Sequence, residues 1–285
     1  MTLVPFNLLD IYPSTESISE LISQVDDLKK CLDSFRPLSP EQAENLQQVF
    51  DTEYTYDSNR IEGNTLTLQE TALVLEKGVT IGGKPLKEHL EVINHQEAIG
   101  YIRDIVNKDV ELDERALKDI HAIILKSIDR KNAGAYRRIG VMIRGSKHRP
   151  PEPHMVAELM DNYFAFYRQN NETMHPVLLA ADMHEKLVTI HPFVDGNGRS
   201  ARMLMNLILL QQGYPVANIS SERDERQDYY TALEAVQTGG SIDHFHRVVL
   251  KAVKTALIKY LDVMSPDVEE GKGDYYLERI APHID

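Results

Sequence analysis

The sequence has 285 residues, of which 42% are hydrophobic and 26% are charged, a balance typical of a folded globular protein. Its formal net charge of −13 argues against nucleic acid as a partner, because nucleic-acid binding requires basic surface. There is one cysteine, no apolar run long enough to cross a membrane and no leader-like start, so we expect a cytoplasmic protein without disulfides or a membrane partner.

The N-terminal part begins without a strong pattern. Residues 1–38 are weakly patterned, and we treat them as a lead-in. Ser39, Pro40 and Gln42 then form the pattern of a helix N-terminus, with a capping serine and a proline at the first helical position. Apolar residues at helical spacing follow, and Gly63 is a suitable stop for this helix.

A second helix start follows closely. Thr67 and Glu70 form a capping box, which predicts a short helix that ends near Gly78. The same periodicity predicts helices over 85–107, 113–128 and 154–169.

One segment departs from the helical pattern. Val141, Met142 and Ile143 indicate a short strand, and the glycine and prolines that follow indicate turns. The sequence therefore predicts a small β-hairpin, a flap over residues 141–149, on a mainly helical body.

Two helices are predicted on either side of residues 191–198. The first has one apolar face, formed by Leu179, Met183, Leu187 and Ile190. The second, over 199–212, is apolar on nearly all sides and broken only by Asn206, as expected for the centre of a bundle. The loop between them would therefore stand on a rigid support.

The loop itself has the features of an anion-binding turn. Pro192 disfavours helical geometry at His191, and therefore ends the first helix there. Gly196 and Gly198 allow backbone angles that turn successive N–H groups inward. The second helix begins directly afterwards, so its positive end points at the same place.

Charged residues around this turn suggest a reaction. Arg199 and Arg202 are cations near a helix N-terminus, an unfavourable position unless an anion such as phosphate binds there. Asp195 is a suitable oxygen ligand for Mg²⁺, and His191 is a candidate general base. Each feature alone is commonly structural, but together they predict phosphoryl or nucleotidyl transfer.

Residues 191–202 match the Fic family motif H-x-F-x-[D/E]-G-N-G-R-x-x-R at every defined position, and the chain resembles that family over roughly 55–250. The resemblance implies a mainly α fold, a Fic-type helical bundle with a small β-hairpin flap. It also implies a protein adenylyltransferase, which transfers AMP from ATP to a Tyr, Thr or Ser hydroxyl of a protein.

The same resemblance implies roles for the loop residues. His191 would deprotonate the target hydroxyl, which attacks the α-phosphate of ATP while pyrophosphate leaves. Asp195 would hold Mg²⁺. The residues implied to bind the phosphates are Gly196, Asn197, Gly198, Arg199 and Arg202.

Two further regions acquire roles only from the resemblance. Tyr229 and Tyr230 would contribute to the ribose and adenine pocket, whereas Gln237 stands where the family often has Asn, so its role stays open. The flap would bind an extended segment of the target by strand addition, through Ile143, Arg144, Gly145, Ser146 and Lys147. Without the resemblance, a core aromatic pair and a surface hairpin are the simpler interpretations.

Ser58, Glu62 and Gly63 fit the inhibitory motif S/T-x-x-x-E-G/N of Fic proteins that carry an N-terminal inhibitory helix. The resemblance implies that Glu62 pairs with Arg202 and occupies the γ-phosphate position, so we expect autoinhibition. From the local pattern alone, Glu62 is equally well explained as a solvated glutamate. The same glutamate could instead support removal of AMP from a modified protein.

We expect four segments along the chain: a lead-in over 1–38, a helical region over 39–110 with the inhibitory motif at 58–63, a Fic core over 111–262 with the flap and the motif at 191–202, and a tail over 263–285. The expected partners are a protein substrate, which could be the chain itself, and a second copy in a homodimer.

Other functions remain open at this point. A Fic-type fold could transfer UMP, GMP or phosphate, although the intact Gly198 favours AMP over phosphate transfer. A non-catalytic nucleotide-sensing module would not need the base His191. A metallohydrolase is not supported, because the 11 histidines form no H-E-x-x-H motif.

Overall fold

The computed structural model describes residues 8–12, 14–15, 17–38, 40–264 and 272–281, so the predicted capping residue Ser39 lies outside the described residues. None of the described helices combines the length and apolar content that a membrane span requires. In chain order the helices are α1 (Leu8–Ile11), α2 (Ile18–Asp33), α3 (Pro40–Ile61), α4 (Leu68–Lys77), α5 (Leu86–Asn107), α6 (Glu114–Ile124), α7 (Val156–Asn170), α8 (Pro176–Ile190), α9 (Asn197–Gln211), α10 (Arg223–Gln237), α11 (Asp243–Met264) and α12 (Asp274–Ile280).

Helix α9 is the centre of the bundle, as its sequence predicts. Its side chains are buried from Arg199 through Leu209, and helices α3, α5, α6 and α8 pack against it. Asn206, the polar interruption, accepts a hydrogen bond from the Ala217 N–H and donates one to the Ala217 carbonyl. A buried amide with both groups satisfied is tolerated in such a core.

The predicted capping box at Thr67 and the predicted helix ends near Gly63 and Gly78 are confirmed. Thr67 and Glu70 form a capping box at the start of α4, which ends at Gly78 with φ +63°. Helix α3 ends at Ile61, two residues before Gly63, whose φ of +101° turns the chain away. Helix α6 ends earlier than predicted, at Ile124.

The predicted β-hairpin over residues 141–149 is wrong. Among the described residues no strand is assigned, and residues 141–149 form a loop closed by a hydrogen bond from the Ser146 N–H to the Ile143 carbonyl. The prolines that follow lack an N–H group for a strand ladder. The loop is held to the helical body instead, and the His148 ring contacts the Thr189 carbonyl at 2.8 Å.

Both ends of the described chain carry helices that the sequence interpretation did not anticipate. In α2 an apolar face packs against α11, and its spacing was visible in the sequence: Leu21, Val25, Leu28 and Leu32. In α12, Tyr276 packs on Phe35 with ring centroids 5.4 Å apart. The division into segments at 38, 110 and 262 stays a prediction.

Candidate active site

The connection between α8 and α9 is a tight turn with left-handed backbone at both ends. His191 has φ +51° and ψ +58°, and its N–H donates to the Leu187 carbonyl. Gly196 has φ +80°. Inside the turn, the buried Asn197 side chain accepts from the Phe193 N–H and donates to the Phe193 carbonyl, both at 2.9 Å. Because both polar groups of this side chain are engaged within the turn, Asn197 would contribute to anion binding through its backbone N–H.

A buried histidine from α6 supports this turn. The Gly134 N–H donates to His121 Nδ1, so the His121 Nε2–H donates to the Asp195 carbonyl, each at 2.9 Å. The His121 ring also stacks on Phe193, with centroids 3.6 Å apart. Burial lowers the pKa of His121 to about 4, which keeps the ring neutral. No local sequence signal marked this residue.

The ring of His191 is arranged to accept a proton. Its Nδ1 lies 3.3 Å from the Val188 carbonyl, which can only accept, so Nδ1 carries the hydrogen and Nε2 keeps a lone pair. Burial lowers the pKa of His191, with the positive charge of Arg137 acting in the same direction. A neutral imidazole at neutral pH is what a general base requires.

Arg137 ties His191 to the flap loop and was also missed by sequence reasoning. Its Nε donates to the His191 carbonyl at 2.8 Å. Its two terminal nitrogens donate to the carbonyls of Ile139 and Pro151, which lie on either side of the loop. One buried guanidinium thus contacts His191 and the chain on both sides of the flap loop.

A cavity of about 640 Å³ lies in front of the turn. It brings together most of the residues that the sequence predicted for the site: Glu62, Ile143, Arg144, Gly145, Ser146, His191, Asp195, Gly196, Asn197, Gly198, Tyr229, Tyr230 and Gln237. Four other predicted residues do not line this cavity: Ser58, Lys147, Arg199 and Arg202. Both motif arginines are buried in the protein behind the turn.

Arg202 is 1% exposed and fully engaged by residues from other helices. It donates to the Ser58 hydroxyl at 3.0 Å, the Ser58 carbonyl at 2.8 Å and the Tyr229 hydroxyl at 3.3 Å. Its remaining strong contact is an ion pair with Glu62, with Nη2 and Oε1 2.7 Å apart. The negative charge of Glu62 raises the pKa of Arg202 against the lowering effect of burial.

The approach of Glu62 depends on Gly198. A Cβ atom at position 198 would overlap Glu62 Oε1 and lie 3.2 Å from Arg202 Nη1. The glycine therefore makes room for the carboxylate as well as for close backbone approach to an anion.

Arg199 is the less satisfied of the two arginines. It is 2% exposed, with Glu91 at 3.4 Å and Asp195 at 3.6 Å. Its Nε and Nη1 atoms are buried and have no hydrogen-bond partner in the described part of the chain. Buried donors without a hydrogen bond are uncommon, and an oxyanion at the helix N-terminus would satisfy them.

Asp195 is the carboxylate of the turn. Its side chain is 52% exposed, and it accepts from the Gly196 N–H at 2.7 Å. The described residues hold no cluster of three or more His, Cys, Asp or Glu side chains that could bind a metal ion by themselves. Mg²⁺ commonly takes one or two carboxylates together with substrate phosphates, and Asp195 fits that donor set.

Helix α10 forms the far wall of the cavity. Tyr229 is buried, with its hydroxyl 3.2 Å from His184 Nε2, whereas Tyr230 is 40% exposed and donates to the Ile61 carbonyl at 3.0 Å. The flap contacts this wall through the Lys147 N–H, which donates to Glu234 Oε1 at 3.0 Å. The flap and α10 therefore close over the turn.

Comparisons with known proteins agree with this geometry. The model of the Fic/DOC family matches residues 111–209. The Protein adenylyltransferase Fic of Drosophila persimilis is 33% identical over 242 residues, which cover 81% of this chain and 47% of the relative. That of Drosophila melanogaster is 36% identical over 210 residues, which cover 73% and 42%. The chain thus spans less than half the length of these relatives.

Solved structures are similar over most of the chain. Fic-1 from C. elegans, residues 134–508, superposes with a TM-score of 0.78 at 30% identity, covering 88% of this chain and 73% of that one. A Fic domain containing signaling protein from Bacteroides thetaiotaomicron gives a TM-score of 0.72 at 27% identity, covering 89% and 98%.

Proposed function

The chain belongs to the Fic/DOC family, and on that basis we propose that it transfers AMP from ATP to a hydroxyl group of a protein. The observation that carries the proposal is the neutral ring of His191, which shares one cavity with the glycine turn in front of the buried Arg199 and Arg202. A base, an anion site and room for a nucleotide are what nucleotidyl transfer requires.

In this reaction His191 Nε2 takes the proton of the target hydroxyl. The oxygen then bonds to the α-phosphorus of ATP, the bond from that phosphorus to the bridging oxygen breaks, and pyrophosphate leaves. The backbone N–H groups at Gly196–Gly198, together with Arg199 and Arg202, stabilise the negative charge on the phosphates. The unpaired donors of Arg199 support this assignment.

Asp195 would hold Mg²⁺ against the phosphates. The bound ion would neutralise part of the phosphate charge, which arginines alone do less completely. Support comes from the exposed carboxylate beside the turn and from the preference of Mg²⁺ for few protein ligands.

The cavity wall suggests where the rest of ATP and the target bind. We assign the ribose and base to the side formed by Tyr229, Tyr230 and Gln237. We assign the target segment to the flap at 143–147, where Met142 is 84% exposed and backbone groups are open to an extended peptide. A loop without strands can still form such backbone hydrogen bonds.

We propose that Glu62 inhibits the resting protein, and its ion pair with Arg202 supports this. While the carboxylate occupies that guanidinium, a phosphate of ATP cannot, so the resting activity is low. Removal of AMP from a modified protein by the same site is a second activity, because Glu62 also lines the cavity and could orient water there.

The test uses the purified chain with Mg²⁺ and ATP labelled at the α-phosphate, in wild type, Glu62→Gly and Glu62→Gly/His191→Ala. We expect strong protein labelling in the single variant alone. Glu111→Gly, at an exposed loop glutamate, is the matched control and should stay as silent as wild type. Labelling from γ-labelled ATP alone would identify phosphate transfer, and silence with both nucleotides and an added lysate as target source would refute the proposal.

We also propose a homodimer. Helices α4 and α5 and their connection expose four large apolar side chains, between 44% and 67% accessible: Leu73, Val79, Leu86 and Ile93. Leu86→Asp should therefore shift the sedimentation coefficient from dimer to monomer, whereas Val263→Asp, at another exposed position, on α11, should not.

A further inference from the structure

A second cavity, of about 540 Å³, lies between the end of α3 and the start of α10. Its wall includes Gly63, Asn64 and Thr65 after α3, and it shares Arg226, Gln227 and Tyr230 with the candidate active site. This second cavity therefore adjoins the candidate active site, and its wall includes the residues that directly follow Glu62. Its volume lies within the range of small-molecule sites.

Three arginines line this second cavity: Arg60, Arg223 and Arg226. Arg60 lies over the Tyr56 ring, and Arg226 lies over the Tyr230 ring and donates to the Ile61 carbonyl at 2.7 Å. Within the described chain none of the three has an acidic side chain in ion-pair distance, whereas six other arginines do. Glu222 is the one carboxylate on the wall.

The composition of the chain does not explain why these three neighbouring arginines lack acidic partners. Acidic residues outnumber lysine and arginine by 44 to 31, so acidic partners for three neighbouring arginines are abundant. Arg226 Nε is moreover buried, and it has no hydrogen-bond partner among the residues that the structure describes. Guanidinium groups that line one cavity without acidic partners match the oxygens of phosphate groups, which such groups bind in pairs.

We propose that this cavity binds a small molecule carrying a diphosphate or two phosphate groups, and that the bound ligand holds Glu62 on Arg202. The binding site is independent of the reaction, whereas its effect on activity rests on the proposed function. Three positive charges and a single carboxylate give the wall a net charge that suits two phosphate groups.

The effect on Glu62 follows from what the arginines already hold. Arg226 and Tyr230 of α10 both donate to the carbonyl of Ile61, the residue before Glu62. Arg60 lies on α3, two residues before Glu62. An anion bridging Arg60 to Arg223 and Arg226 would add a second connection between the two helices. Because it binds the arrangement in which Glu62 meets Arg202, it shifts the population towards that arrangement.

The first test is calorimetric binding of pyrophosphate, with inorganic phosphate as the single-phosphate reference. We compare wild type, Arg60→Gln/Arg223→Gln and the control Arg130→Gln/Arg168→Gln, which removes the same charge away from the cavity. All four side chains are exposed, so both variants should keep the wild-type circular dichroism and Tm. We expect the cavity variant to weaken binding about 10-fold or more and the control to weaken it less than 3-fold. Equal losses in the two variants would overturn the proposal.

Pyrophosphate could also bind at the candidate active site, and hydrogen exchange separates the two locations. The N–H groups of Glu62, Gly63 and Asn64 donate to the carbonyls of Asn59, Arg60 and Asn59. Ligand in the second cavity should slow their exchange in wild type and leave Arg60→Gln/Arg223→Gln unchanged. Ligand that displaces Glu62 from Arg202 would speed it, and that result, or no change in wild type, would contradict the proposal.

These measurements do not depend on AMP transfer. If the labelling experiment fails but pyrophosphate slows exchange, the proposed binding site stands. Only its proposed effect on AMP transfer is then refuted. Tighter binding of ADP than of pyrophosphate, lost in the same variant, would identify a nucleotide as the ligand. Equal binding would identify the diphosphate group as sufficient.

Discussion

The protonation state of His191 sets the pH dependence of the proposed reaction. Burial lowers its pKa from the ordinary value near 6.5, so the ring stays neutral, and able to take a proton, to lower pH than an exposed histidine. We expect the labelling rate of Glu62→Gly to fall at lower pH than it would if the base were an exposed histidine titrating near 6.5. A rate that already declines between pH 8 and 7 would mean that another group is the base.

Arg137 is expected to act on activity through the position of His191. Arg137→Lys keeps the charge, but one ammonium group cannot span the carbonyls of His191, Ile139 and Pro151. In the Glu62→Gly background we expect the labelling rate to fall about 10- to 100-fold. Arg138→Gln, at the exposed neighbouring position, serves as the control.

The pH dependence of the labelling rate separates the effect of the Arg137 charge from the effect of its hydrogen bonds. Arg137→Gln removes the positive charge that helps to lower the pKa of His191, so the acid limb should move to higher pH. Arg137→Lys should leave the limb where it is. If both variants show the wild-type rate, Arg137 has no positioning role.

The sequence predicted the residues that share one short segment and missed those that meet only in the fold. His191, Asp195 and the two arginines lie within twelve positions, so their chemistry could be read together. Arg137 and His121 contact the turn across separations of 54 and 74 residues, and nothing in their local sequence marks them. The contact of Ser58 and Glu62 with Arg202 was predictable only through family resemblance.

Helix α2 belongs to the hydrophobic core although the family model begins much later, at residue 111. Leu28 is fully buried on the face that meets α11. Leu28→Ala should lower the free energy of unfolding by about 2–5 kcal/mol, because it leaves a cavity. Val263→Ala, at an exposed position of α11, should cost less than about 0.5 kcal/mol. Urea denaturation of both variants measures the difference.

Sequence periodicity was enough to predict a helix where the apolar face or the capping pattern is strong, as for α4, α5 and α9. It was not enough at 141–149, because three β-prone residues in a row indicate a strand only if a partner can pair with them. In the structure the neighbouring prolines and the contacts of Arg137 hold that loop instead. Helix α12 was missed because it is short and its packing depends on Phe35 and Asp27 far away in the chain.

Acid should lower the free energy of unfolding of the whole protein, because several histidines are buried in neutral form. Burial lowers the pKa of each, to about 4 in the case of His121, and the set is His95, His121, His184 and His191. In the unfolded chain they titrate near 6.5, so below that pH the unfolded state binds more protons. The free energy of unfolding should therefore fall as the pH drops from 6.5 towards 4, by up to about 1.4 kcal/mol per pH unit for each proton.

Two buried carboxyls oppose this trend at the lower end of the range, since burial raises the pKa of Asp51 and Glu185. Urea denaturation between pH 7.5 and 5.5 therefore gives the clearest reading. His121→Gln should reduce the slope by about one proton, and His154→Gln, at an exposed position, should leave it unchanged. A stability that is constant over this interval would show that the histidines titrate normally.

The contacts of Arg202 also determine how fast the inhibitory ion pair can open. Ser58 and Tyr229 hold the guanidinium whether or not Glu62 is present, so its departure leaves the arginine in place. Glu62 follows the last residue of α3, and its side chain is already 36% exposed. Release needs movement of Glu62 and the short turn after α3, which α10 contacts at the Ile61 carbonyl, rather than melting of a helix. We therefore expect opening within nanoseconds to microseconds, so that the lifetime of the active state is set by what binds there next and not by refolding of the inhibitor.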